Sequence, residues 1–177
     1  MIFKKRGLSP VIATVLLLVI TVVAAGLIAT FVVPFVKDSL SGSRDCFDVL
    51  GDLSFSETPY NCFYFDQAGL VNRTGFSVKV EGKDIAGFKV VLQSGGNSDG
   101  FEIINGATLS SIRMLGGTYG GVLAVPQGGG IRTYVADRGY DRLEIYPIVA
   151  GDKKCDLADD INLLFCNDQS IINQLIL

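Results

Sequence analysis

The chain has 177 residues, 18 acidic against 15 basic side chains, and neither histidine nor tryptophan. Without histidine it lacks the commonest general base and transition-metal ligand, so no enzyme, cofactor or metal centre is expected. Three of the basic residues, Lys4, Lys5 and Arg6, stand together at the start, and the acidic remainder argues against a nucleic-acid partner.

From Leu8 to Val36 there is no charged side chain. As a helix this run of about 29 residues would be ~43 Å long at ~1.5 Å per residue, more than the ~30 Å hydrocarbon core of a bilayer. The basic cluster before it and the acidic chain beyond predict a cytoplasmic N-terminus and a translocated remainder. An ordinary signal peptide has a shorter apolar core ending at small residues, for which Ala24-Ala25-Gly26 is the nearest match.

Lys4-Lys5-Arg6-Gly7 runs directly into Leu8-Ser9-Pro10-Val11-Ile12. Over Lys4 to about Phe31 the chain resembles the archaeal type IV pilins, with their short basic class III signal peptides ending in Gly. The resemblance implies cleavage between Gly7 and Leu8 by a prepilin peptidase, leaving the apolar helix on the mature protein. It also implies an assembly ATPase and a membrane platform as partners, and a homopolymeric filament used in adhesion. Many bacterial relatives carry Glu where this chain has Ile12, so the likeness is to the archaeal branch.

Within the run Thr14, Thr21, Ala25 and Ala29 fall on one helical face, with Gly26 and Thr30 beside it, a pattern that permits close helix–helix approach. A generic transmembrane anchor would account for the same stripe. Pro34 predicts a kink or a local melt, and Ser41-Gly42-Ser43 reads as the helix stop. The expected organisation is a leader (1–7), an apolar helix (8–40), a linker (41–45) and a head (46–177).

After Asp45, short runs rich in Val, Ile, Phe and Tyr alternate with Gly, Asn and Asp clusters. Strands are expected at 62–65, 76–80, 88–92, 101–104, 122–125, 131–136 and 143–149. The fold class is therefore α+β, a long apolar α-helix followed by an all-β, immunoglobulin-like sandwich head. Gly95-Gly96-Asn97, Gly116 to Gly121 and Gly128-Gly129-Gly130 read as hairpins. The middle one lacks the Lys and following helix of a phosphate loop.

Cys46, Cys62, Cys155 and Cys166 show no paired zinc spacing, and an even count in an exported domain suggests disulfides. Of three connectivities the sequence-local one, Cys46 with Cys62 and Cys155 with Cys166, is favoured. Asp156, Asp159 and Asp160 form an acidic loop without EF-hand spacing. Asp66, Asp84, Asp99, Asp137 and Asp141 are scattered and give no acid/base pair. Asn72-Arg73-Thr74 is a glycosylation sequon ahead of a strand, where a glycan would face solvent. The apolar tail, 171–177, is expected to pack on its own head or on a neighbour. The leading function is a structural filament subunit, a membrane-held precursor and then part of an extracellular surface filament. The competing one is a single-pass anchored extracellular binding module that does not polymerise.

Overall fold

The structure, a computed structural model, describes residues 10–49, 51–66, 71–82 and 85–177. It divides into two units, one up to Arg44 and a second from Asp45 to Leu177, the head.

The first unit is helical. Helix α1 (Pro10–Leu27) passes through a π-helical turn (Ile28–Val32) into α2 (Val33–Asp48), whose last residues belong to the head. The π turn answers Pro34: that residue has no N–H to give the carbonyl four residues back, and the N–H of Val33 reaches the carbonyl of Ile28 instead. The backbone therefore neither melts nor ends at Pro34. Nor does it stop at Ser41-Gly42-Ser43, because α2 continues to Asp48. A glycine inside a helix costs about 1 kcal/mol, too little to end a helix held at its far end.

The head contains β1 (Leu53–Phe55), β2 (Cys62–Phe65), β3 (Asn72–Val80), β4 (Ile85–Ser94), β5 (Asn97–Ile104), β6 (Ile112–Met114), β7 (Gly130–Ala136), β8 (Arg142–Val149), β9 (Lys153–Lys154), β10 (Asp159–Asn162) and β11 (Leu164–Phe165), then α3 (Gln169–Ile176). One sheet has the order β11-β2-β3-β7-β6, with β1 also on β3. The other has the order β10-β8-β4-β5, with β9 on β8. All pairs are antiparallel except β11 with β2.

Alternation along the strands explains why two sheets form. Phe76, Val78 and Val80 of β3 and Phe88, Val90 and Leu92 of β4 are buried in one core, and the Phe88 ring meets Tyr134 of β7 edge-on across the sheets at 5.6 Å. The β4–β5 turn is the hairpin expected: Ser94 pairs with Asn97, and Gly95 and Gly96 both have positive φ, as a two-residue loop of this twist needs.

Two other expectations need correcting. Residues 122–125 form no strand beyond a single bridge from Val122 to Thr108, since Gly120-Gly121 and Pro126 close the run on either side. Two of their N–H groups are nonetheless satisfied, Leu123 donating to the Ala107 carbonyl and Val125 to Asn105 Oδ1. Gly116 to Gly121 makes two successive turns, closed by Gly117 to Met114 and Gly121 to Thr118, not a hairpin.

The cysteines pair as Cys46–Cys155 and Cys62–Cys166, across 109 and 104 residues, not locally. The sheet register explains it. Leu53 lies opposite Val80 and Cys62 opposite Gly75, so the segment from Cys46 to Cys62 runs the length of β3, and these positions are ~17 Å apart at ~3.4 Å per residue. Cys155 donates its N–H to Pro147 in one sheet, while Cys166 donates to Phe63 in the other. Bridges across such long loops each contribute about 4.7 kcal/mol on a chain-entropy account, more than short loops would.

The tail packs on its own head. Helix α3, capped by Asp168 accepting from the Ser170 N–H at 2.7 Å, buries Ile171, Ile172 and Leu175 beside Val135 and the Cys62–Cys166 bridge. Its far end is held by Arg113 of β6, a fully buried cation that donates to the Leu175 carbonyl at 2.8 Å and to Gly117 at 3.2 Å and lies over the Tyr119 ring. Gly75 lets the helix approach: a Cβ there would stand 2.4 Å from the Tyr60 carbonyl and 2.8 Å from Leu175 Cδ2.

Candidate assembly helix

From Pro10 to Lys37 the helix is 28 residues long, long and apolar enough to cross a membrane. Proline suits its first turn, where an N–H has no intrahelical partner, and the Leu, Val, Ile and Ala content sustains the rest. None of its side chains is buried within the chain: Leu17 is 67 % exposed and Phe31 70 %.

Its few polar groups are silenced from within. The hydroxyl of Thr14 donates to the Val11 carbonyl at 2.9 Å, that of Thr21 to Leu18 at 2.8 Å, and that of Thr30 to Gly26 at 2.9 Å. Each threonine thus presents its methyl outward without carrying an unpaired donor into an apolar medium. Thr14, Thr21, Ala25 and Ala29 lie along one exposed face with Gly26 and Thr30 flanking it, as the helical period requires. A Cβ built at Gly26 meets nothing within 4 Å, so nothing in the chain's own fold requires a glycine there.

Lys4, Lys5, Arg6, Gly7 and Leu8 lie outside the described residues. So does Asp84, while the other acidic residues are spread over the head. Asp159 accepts the Phe55 N–H at 2.8 Å and Asp160 pairs with Arg142 at 3.2 Å, so two of the three acidic-loop residues open β10 with their carboxylates engaged, while Asp156 lies exposed in a bend before it. Asp99 accepts the Tyr140 hydroxyl at 2.7 Å, and burial, with that carboxylate second, pushes the Tyr140 phenol upward. Asn72 opens β3 opposite Phe65. Its Oδ1 is buried without a partner, and the Thr74 of the sequon is fully buried, its hydroxyl donating to Arg138 and accepting the Tyr140 N–H.

Sequence reasoning missed Arg113 and Tyr119. A single arginine inside Ile-Arg-Met reads as a solvated strand residue, and only the return of the tail over β6 makes it a buried anchor.

The family model described as archaeal type IV pilin, N-terminal, matches residues 6–39. No curated protein and no solved structure matches the chain. The match takes in the basic Arg6, the Gly7-Leu8 junction, the apolar run and Pro34, and ends as the acidic head approaches. Over residues 6–39 the chain, its exposed apolar helix included, is thus similar to the N-terminal segment of the archaeal type IV pilins.

Proposed function

We propose that this chain is the structural subunit of a surface filament: it is held in the membrane as a precursor, cut between Gly7 and Leu8 by a prepilin peptidase, and polymerised through residues 10–37. The observation that carries the reading is the matched helix itself, apolar over most of its length, with its threonine hydroxyls satisfied internally and none of its described side chains buried. Each large apolar side chain left in water would cost about 1.5–3 kcal/mol, so the helix needs lipid or other apolar helices throughout its life. Outside the bilayer, like helices supply that surroundings, and one repeated heterologous contact yields an open helical polymer. Extraction from lipid calls for an assembly ATPase and a membrane platform, and adhesion is the role assigned to the filament. A glycan at the Asn72 sequon would have to be added before the head folds, because Thr74 is fully buried and its hydroxyl engaged in the folded chain.

The test is electron microscopy of material sheared from producing cells, with mass spectrometry of the protein in it. Thin filaments built from a chain beginning at Leu8 are the expected result, and added mass on the peptide bearing Asn72 would locate the glycan. A chain confined to the membrane fraction as a monomer would replace this reading with the anchored binding module.

A further inference from the structure

Three segments meet at one end of the second sheet: the β4–β5 turn, the start of β8 and the β10–β11 turn. They border an open cleft of about 630 Å³ whose walls carry Gln93, Asn97, Ser98, Asp141, Arg142 and Asn162, with the buried Leu163 at its base. The backbone holds these segments in place. Asp141 donates its N–H to the Gln93 carbonyl at 3.0 Å, and Leu163 donates to the Asp141 carbonyl at 2.7 Å. The turn that forms one rim is Gly95-Gly96, both at positive φ, so no side chain there can close the opening.

The chemistry of the walls is selective. The side chains of Gln93, Asn97, Ser98, Asp141 and Asn162 make no hydrogen bond or ion pair with any described residue, which leaves amides, a hydroxyl and a carboxylate free to donate and accept. Arg142, the cation of the cleft, is engaged by Glu144 at 3.4 Å and Asp160 at 3.2 Å. An anionic ligand would therefore meet the uncompensated Asp141 and no free cation. A divalent ion would find one free carboxylate, too few for a shell of six to eight oxygens. A peptide side chain seeking an apolar pocket would meet mostly polar wall. A neutral ligand dense in hydroxyls fits, because each hydroxyl both donates and accepts and neighbouring hydroxyls can share the Asp141 carboxylate. The volume lies within the ~300–1,000 Å³ usual for small-ligand sites, room for two or three sugar rings.

We propose that this cleft binds a neutral saccharide. The proposal gives the adhesive role of the preceding section a ligand class, and it does not depend on polymerisation, since the cleft lies within one head. The experiment uses the full chain, isotopically labelled and solubilised in a sugar-free detergent, titrated with maltose, cellobiose, lactose and N,N′-diacetylchitobiose while backbone amide shifts are followed. At least one disaccharide should move the amides of Gly95, Gly96 and Leu163 at millimolar concentration. Asp141→Ala and Asn162→Ala should each weaken that binding about tenfold, the loss of one good hydrogen bond, with the thermal midpoint unchanged. Should either variant misfold, Gln93→Ala serves in its place. The proposal is overturned if none of the four sugars moves these amides, if the shifts fall elsewhere on the head, or if the folded variants bind as the parent does. Because the chain is unpolymerised throughout, a negative result leaves the filament reading standing, and a failure to form filaments leaves this one standing.

Discussion

The two units treat the same kinds of side chain in opposite ways. In the head, Val78, Val90 and Ile145 are wholly buried between two sheets, whereas in the N-terminal helix Val11, Leu17 and Ile20 are all more than half exposed. The head closes its own core, adds two long-range disulfides and anchors its last helix on a buried arginine. The helix, among the described residues, buries none of its side chains. One region is built to be stable alone and the other to be completed by something else, and substitutions should separate the two.

The largest effect should come from a buried charge. Val90→Asp should unfold the head at a cost above about 4 kcal/mol. Val19→Asp should leave the thermal midpoint of the head unchanged while emptying the membrane and sheared-filament fractions, because a carboxylate at mid-bilayer costs about 2.5–3.5 kcal/mol. If both variants lost the head's melting transition, the two units would not be independent.

Replacing Cys46 and Cys155 together by serine should lower head stability by about 2–5 kcal/mol, read as a fall in the denaturant midpoint. Arg113→Met should cost about 2–4 kcal/mol and raise hydrogen exchange in α3 before the sheets, since the Leu175 and Gly117 carbonyls lose a charged donor. Arg113→Lys should not rescue it, because one ammonium cannot reach both carbonyls in the plane the guanidinium fills.

Alkaline pH acts on the head through two of its phenols. Burial holds the Tyr134 and Tyr140 phenols above their ordinary value of 10.0. A group whose folded pKa is raised contributes stability that is fully present below its unfolded pKa, so denaturant midpoints should be flat up to pH ~10 and fall above it. The smallest effect is expected at Gly26→Ala. Nothing in the chain lies near the new methyl group, so helix content should hold or rise slightly, and any loss of filament yield would report on a neighbouring copy.

How far each region could be read from sequence follows the same division. The helix was legible because its signal is local: an uncharged apolar run, a proline and a threonine stripe all appear in consecutive residues. Even there the π turn and the continuation to Asp48 depended on which carbonyls found donors, which composition does not encode. The strands dense in aromatic and branched side chains, such as 62–65 and 143–149, were legible for the same reason. The short pieces β1, β6, β9 and β11 were not, because two or three residues carry no period. Disulfide pairing failed for a related reason. Loop length favoured local closure, whereas partners were set by β3 separating Cys46 from Cys62 and by Cys155 and Cys166 lying on different sheets. Arg113 and the saccharide cleft are products of topology, assembled from segments far apart in the chain.

Under the filament reading, other copies of this chain cover residues 10–37, and a three-dimensional reconstruction of detergent-free sheared filaments would display that contact. The expected density is an axial core of packed helices comprising residues 10–37 of many copies, with the β-sandwich heads around it. Filaments whose core excludes this helix, or a chain found only as a monomer in lipid, would contradict it.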